Sequence, residues 1–355
     1  MTDKIETTFE EINLALLDLT TPFPGKYLHK FSDISPKNLS KLKTIWKKID
    51  HARRFNLLSD LEDLLDADTL VNFDELAKFA MDDLEGDVRA AAIRLLWECE
   101  DIGIVPLLLD KLKNDPDFAV RAQAAISLGL FVYRGELDKI PSSLLNRIVD
   151  HLIVTYNSND HEIIRQKALE SLGYSTREVV SNFISTAFQS TDEDWKASAL
   201  CAMGRSADEK WANQVISYLP HPNLRLQIEA VRAAGEIEIP EARPLLLKLA
   251  NSRETDEDLW TVAVWSLSQI GGDQVKETIE KLINHAKSDE ELTFLEDALE
   301  NLSFTDGLDE LNLLNSDAKD RASKFSVIDF SNDSEDYSDE DLEFDDFQDE
   351  YEDED

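Results

Sequence analysis

Cysteine is nearly missing from this 355-residue chain, and histidine is scarce. The two cysteines, Cys99 and Cys201, cannot build a disulfide framework or a four-thiolate zinc site. The six histidines (His29, His51, His151, His161, His221 and His285) include no i, i+4 pair that could chelate a metal from one helix face. Glycine-rich phosphate loops, GxSxG, CxxC and HExxH are all lacking. No apolar run approaches the roughly 18 residues that span a bilayer. The start, MTDKIETTFEEINLALL, is acidic and lacks a cleavable apolar core, which predicts no signal peptide. Period-two apolar patterning is lacking as well, which argues against strands. Positive charge is the last shortage. Lys plus Arg is 36 against 74 for Asp plus Glu, a net charge of −38. A field of that sign repels phosphate backbones, so no nucleic acid is expected as a partner. These absences predict a soluble cytoplasmic protein with no membrane partner, no cofactor and no metal.

What the chain does contain is a repeat. Five segments share an Ala-rich apolar pattern ending in Gly: VRAQAAISLG to Gly129, IRQKALESLG to Gly173, WKASALCAMG to Gly204, LQIEAVRAAG to Gly235 and VAVWSLSQIG to Gly271. Degenerate copies end at Trp97 and Ser303. Successive ends lie 32, 44, 31, 31, 36 and 32 residues apart, a length that suits two helices and two turns. The 44 marks an insertion over residues 134–146. Within each copy a small residue precedes an aliphatic one by four, as in Ala124 and Leu128 or Ala168 and Leu172, which puts both on one helical face. The terminal Gly suits a left-handed helix cap. A second amphipathic stretch precedes each copy, for example VPLLLDKLKN or ARPLLLKLAN. The pattern predicts an all-α, right-handed α-solenoid of about seven helix pairs.

These segments resemble HEAT-like repeats of the short variety found in phycobilisome lyases and many bacterial proteins. The resemblance covers residues 70–305 and rests on packing positions, so it speaks to architecture far more than to function. Arg89, Arg121, Arg165 and Lys196 recur at one point of the repeat. They are read as stitching neighbouring repeats through loop carbonyls or acids such as Asp87 and Asp117.

The ends differ from the middle. Residues 1–70 read as an N-terminal helical cap, with an amphipathic stretch at 9–19 and a helix opened by Ser35-Pro36. Residues 26–54 hold nine Lys or Arg against Asp33 and Asp50, a local +7 that is either a solvated face or a docking patch for an acidic partner or this chain's own tail. The solenoid is assigned to 71–305, a terminal helix or linker to 306–328, and a disordered acidic tail to 329–355. The tail carries sixteen carboxylates in 27 residues, and the remainder keeps a net charge of −22 without it. Phe330, Tyr337, Phe344, Phe347 and Tyr351 interrupt its acids and are candidate docking residues.

Two enzymatic analogies fail on residue counts. Deoxyhypusine hydroxylase, a HEAT-repeat enzyme, builds a di-iron site from several His-Glu pairs, whereas this chain has one, His161-Glu162. HEAT-like DNA glycosylases need a cationic surface that a −22 body lacks. Cys99 and Cys201 sit among apolar residues and read as buried thiols. Trp265 is placed two residues after the Arg-like position, in a row with Gln123, Lys167, Ser198 and Glu229. Three residues further on come Arg94, Glu170, Arg232 and Ser268. Second helices line the concave side of HEAT-like stacks, so Arg94, Gln123, Lys167, Glu170, Glu229, Arg232 and Trp265 form a candidate protein-binding stripe. The expected function is non-catalytic: a scaffold or adaptor holding a partner protein by the concave surface, the acidic-aromatic tail, or both. The alternative that the resemblance allows is a lyase-type accessory handling a bilin-like prosthetic group on a partner protein. Oligomeric state is left open.

Overall fold

The computed structural model describes residues 8–304 apart from Arg253, and all regular structure among them is helical. The chain opens with α1 (Phe9–Leu17), whose start is fixed by a capping box between Thr8 and Glu11. Helix pairs follow. The first members are α2 (Pro36–Ile45), α4 (Asp74–Ala80), α6 (Val105–Asn114), α8 (Ser142–Tyr156), α10 (Glu178–Phe188), α12 (Ala212–Tyr218), α14 (Arg243–Asn251) and α16 (Val275–Ile283). Alternating with them are the second members α3 (His51–Ala67), α5 (Gly86–Arg94), α7 (Phe118–Glu136), α9 (Glu162–Leu172), α11 (Glu193–Arg205), α13 (Leu224–Glu236) and α15 (Glu257–Ile270). Residues 289–304 are helical and complete the last pair. Side-chain oxygens of Asp50, Asp117, Asp192, Asn223 and Asp256 cap the starts of α3, α7, α11, α13 and α15. The insertion at 134–146 is absorbed by lengthening α7 to 19 residues.

Consecutive second helices pack directly on one another: α5 on α7, α7 on α9, α9 on α11, α11 on α13, α13 on α15. Consecutive first helices meet far less. The stack therefore bends with its second helices on the inner side, and side chains on their free face line that surface. The core is one continuous strip of Leu, Ile, Val and Ala running through all pairs.

The repeat glycines have a different job from the one expected of them. Gly129, Gly204 and Gly235 lie inside helices, and Gly173 is right-handed with φ −49°. Only Gly271 ends a helix with positive φ, at 61°. The others are contact points. A Cβ on Gly173 would lie 2.8 Å from the Ala202 Cα, one on Gly204 2.8 Å from the Ala233 Cα, and one on Gly129 or Gly235 2.7 Å from the Oγ of Ser171 or Ser266. The two serines then turn the crossing into a bond, Ser171 donating to the Ala125 carbonyl at 2.8 Å and Ser266 to the Val231 carbonyl at 2.9 Å.

Arg89 and Arg165 bond loop carbonyls as expected, and the acids that meet Arg89 and Arg121 are others than Asp87 and Asp117. Arg89 donates to the Asp83 and Leu84 carbonyls at the end of its own turn and makes a two-pronged pair with Asp115 of the next, at 2.8 and 2.6 Å. Arg121 reaches Asp160 at 2.7 Å. Asp117 caps α7 and Asp87 meets His51, which is why neither is the partner. The same place in α3 holds Arg54, which donates to the Ile49 carbonyl and pairs with Asp83, itself bonded by the Trp46 indole. Beyond α7 the ions give way to aromatics. Arg165 donates to the Tyr156 carbonyl and lies 5.2 Å from the Trp195 ring, and Lys196 lies 6.0 Å from the Tyr218 ring.

Two substitutions test this packing. Helix propensity alone predicts that Gly173→Ala gains about 1 kcal/mol, whereas the crossing predicts a loss of about 1–3 kcal/mol from overpacking. Gly25→Ala, where a Cβ meets nothing within 4 Å, should be close to neutral. Urea denaturation of both decides the sign, and a stabilised Gly173→Ala would refute the crossing. Asp115→Ala leaves the buried Arg89 without its partner and should cost about 3–5 kcal/mol in the same assay; a loss under about 1 kcal/mol would mean the pair is solvated.

Candidate functional site

The inner face is built from three rows of side chains, one residue per second helix, offset by one turn along each helix. The glycine crossings set the alignment. Ser171, Ala202, Ala233 and Ser266 each lie on the glycine of the preceding repeat, so they are equivalent positions. Trp265 therefore falls in the row of Glu170, Cys201 and Arg232, not in the row of Lys167, Ser198 and Glu229, where Val262 stands instead. Gly271 is a true cap three residues beyond the place that Gly129, Gly204 and Gly235 hold inside their helices, which displaces Trp265 by three when the copies are matched by their terminal Gly. Ser268 holds the place of the repeat glycine in α15.

Several of the predicted stripe residues come together as closed ion pairs. Lys167 meets Glu170 at 2.8 Å, and Ser198 donates to the same carboxylate at 2.7 Å, which is why Glu170 is buried rather than exposed. Arg232 meets Glu229 at 2.8 Å. Arg94 sits apart, paired with Glu62 of α3 at 3.0 Å. Gln123 is half-buried on α7. Trp265 is 39% exposed, with the Phe294 ring 6.4 Å away. Phe330, Tyr337, Phe344, Phe347 and Tyr351 lie outside the described residues.

The next row holds what the sequence reading missed: Tyr174, Arg205, Glu236 and Gln269, each one residue beyond the repeat glycine or its substitute. The Arg205 guanidinium lies 5.0 Å from the Tyr174 ring centroid, and Tyr133 packs against Tyr174 at 5.3 Å. Glu236 lies against the bare Cα of Gly204, and its Oε2 is buried with no hydrogen-bond partner among the described residues. Burial pushes the Glu236 carboxyl up to about 7, with Arg205 and Arg232 pulling it down and Glu229 pushing it up. Cys201 is buried one turn before Arg205 and its thiol is pushed up to about 12 by burial, so it stays protonated. Cys99 is also held near 12, chiefly by burial and then by its bond to Asp74.

The remaining candidates have structural roles. His161 caps α9 and stacks on Phe118 at 4.8 Å. Among the described residues no three His, Cys, Asp or Glu gather as metal ligands, and no helix is long and apolar enough to cross a membrane. Of the basic residues in 26–54, Arg54 is buried on Asp83, Arg53 holds the Asp18 and Thr21 carbonyls, and Lys41 pairs with Glu10. Lys26, Lys30, Lys37, Lys43, Lys47 and Lys48 stay exposed.

The family profile described as HEAT repeats matches residues 73–173 and 212–303, more than half of the chain. This chain belongs to the HEAT-repeat family. The family's stacked helix pairs account for the second-helix crossings and the repeating turn bonds described above. No curated protein matches the chain. Among solved structures, the chain is similar to the complex of CpcE and CpcF of phycocyanin lyase from Nostoc sp. PCC7120, at 20% identity and TM-score 0.44, over 64% of this chain and 94% of that one. It is similar to human deoxyhypusine hydroxylase at 14% identity and TM-score 0.33, over 74% and 95% of the two chains. With importin beta the figures are 13%, 0.37, 87% and 46%.

The Glu236 carboxyl generates a prediction with a defined sign. Its raised value means the folded state keeps a proton that the unfolded chain releases near 4.5. This group's contribution to stability is fully present below that pH and is lost as pH rises through about 7. Glu236→Gln should therefore stabilise the fold at pH 8 by about 1–3 kcal/mol and have little effect at pH 4.5. Thermal melts across that range check it, and a pH-independent difference would place the carboxylate in solvent.

Proposed function

We propose that this HEAT-repeat protein is a non-catalytic cytosolic adaptor that holds a partner protein on the inner face of its second helices. The observation that carries this reading is the make-up of that face. Its charges are mostly tied into neighbouring pairs, and a large aromatic, Trp265, stays open beside Phe294. A surface with most of its charges paired and an exposed Trp is suited to a protein interface, where Trp and Arg carry much of the binding energy. No nucleophile is activated among the residues described: both thiols are buried and kept protonated. Arg94, Gln123, Lys167, Glu170, Glu229 and Arg232 supply the polar surround of the interface. The acidic segment 329–355, with Phe330, Tyr337, Phe344, Phe347 and Tyr351, is a second recognition element suited to basic partners, its charge speeding encounter and its rings adding affinity.

A tagged pull-down read by mass spectrometry tests this, comparing the full chain with one ending at Lys324. A partner kept by both forms and weakened tenfold or more by Trp265→Ala supports inner-face binding. A partner lost with the tail moves recognition to the acidic segment. A coloured prosthetic group carried through purification, with no stable protein partner, would overturn the adaptor reading in favour of an accessory of the lyase type.

A further inference from the structure

Most charges on the inner face come in pairs, but Arg205 and Glu236 belong to none among the described residues. Arg94 is closed by Glu62, Lys167 by Glu170 and Arg232 by Glu229. Arg205, at the end of α11 and in the middle of the face, makes no hydrogen bond or ion pair with any described residue. Its one close partner is the Tyr174 ring, 5.0 Å from the guanidinium carbon. Tyr174 is in turn braced by Tyr133. The guanidinium lies beside the Tyr174 ring with its N–H groups unpaired by any described residue, and such a group matches a carboxylate in two-pronged geometry. The half-buried position makes such a bond worth more than one in open water.

The groups around it decide which anion suits. Cys201, Tyr174, Glu170 and Glu236 face Arg205, and Arg205, Arg232 and Glu229 face Glu236. Glu170 is already spent on Lys167 and Ser198, and Glu229 on Arg232. That leaves one cation beside one carboxyl whose Oε2 has no donor. A dianion such as phosphate would bring two negative charges to one unpaired cation, Arg205, beside the Glu236 carboxyl. A monoanionic carboxylate meets one cation, and a protonated Glu236 can donate a hydrogen bond to it.

We propose that Arg205, held on Tyr174, is the receptor for an Asp or Glu side chain in an extended segment of a partner protein that crosses the second helices. An internal acidic residue is favoured over a chain terminus because the rows continue on both sides of Arg205, to Tyr174 just after α9 and to Glu236 and Gln269 on α13 and α15. Trp265 stands two repeats further on, about 16–20 Å away at ordinary helix spacing, so an apolar residue about five or six positions from the acid would reach it in an extended chain. Binding should take up a proton at Glu236, because a carboxylate brought beside it favours its neutral form.

This inference rests on the inner face being a protein-binding surface, and its test is separable from the pull-down. The full-length chain is used to pan a displayed library of random twelve-residue peptides at pH 6. The enriched peptides should share an Asp or Glu at a fixed place relative to an apolar residue. The best of them, made synthetically, should lose tenfold or more in affinity with Arg205→Gln, and as much when its own acid becomes the amide. The two changes together should cost little more than either alone. Affinity should fall about threefold or more from pH 6 to pH 8 and stay level in Glu236→Gln. Tyr174→Leu, which removes the ring under the guanidinium, serves as the second variant if Arg205→Gln melts early. Enriched peptides without a fixed acid, or independent losses in the double-mutant cycle, overturn this inference while Trp265→Ala still decides the wider reading. A library that yields nothing overturns it as well.

Discussion

The closeness of successive second helices is the constraint on which this structure depends. Where α9 crosses α11 and α11 crosses α13, the backbones approach until only a hydrogen fits, and the chain meets that demand with Gly173 and Gly204 set against Ala202 and Ala233. Successive first helices meet far less. The difference between the two sides bends the stack, and the bend gathers the second-helix side chains onto one inner surface. A fold of this kind places its polar groups by spacing the helices that carry them.

The turns apply the same logic with different chemistry along the chain. One position, four residues after each second-helix cap, supplies Arg54, Arg89, Arg165, Gln227 and Trp260. In all five the side chain donates to a carbonyl at the end of the preceding first helix or its turn. Those carbonyls have no helical partner, so the bond is structurally required. The contact to the next repeat is freer to vary. It is a carboxylate for Arg54, Arg89 and Arg121, and a ring for Arg165 and Lys196. The buried Asp115 is an instance of competing effects. Burial raises its pKa, while the Arg89 pair and the Asp117 amide outweigh that and hold it below the usual range.

Much of the architecture could be read before any coordinates, and the part that could not follows from one misassignment. Helix pairs, their period and the stitching role of Arg89 and Arg121 are carried by residues with strong local signals: an apolar face, a capping Asp, a long cation at a fixed offset. Glycine is ambiguous, because the same residue serves a left-handed cap and a tight crossing. Reading Gly173, Gly204 and Gly235 as left-handed caps left the residue after each off the inner face, although Gly173 is right-handed and the other two lie inside helices. Those residues are Tyr174, Arg205 and Glu236, the three that make the most distinctive part of the inner surface. The same treatment of Gly271 pushed Trp265 into the wrong row. Periodicity in one dimension carries no trace of how near two helices lie. A signal was nonetheless present: the positions two before Gly129, Gly173, Gly204 and Gly235 are all Ser or Ala, which suits a contact and means nothing for a cap.

The repeat period also sets how the chain's own length enters its folding. Nearly every tertiary bond between repeats joins residues about one period apart, from the 23 that separate Lys78 and Asp101 to the 46 that separate Ser171 and Ala125. The loop closed by each such bond stays the same size wherever it lies in the array. Closure entropy grows with the logarithm of loop length, so adding a helix pair adds one more loop of the same cost rather than one that grows with the chain. A gene that duplicates one period inserts a segment whose two faces already fit its neighbours. The 19-residue α7, by contrast, shows that the stack also accepts material within a period, provided it extends a helix and leaves the crossing at Gly129 where it was.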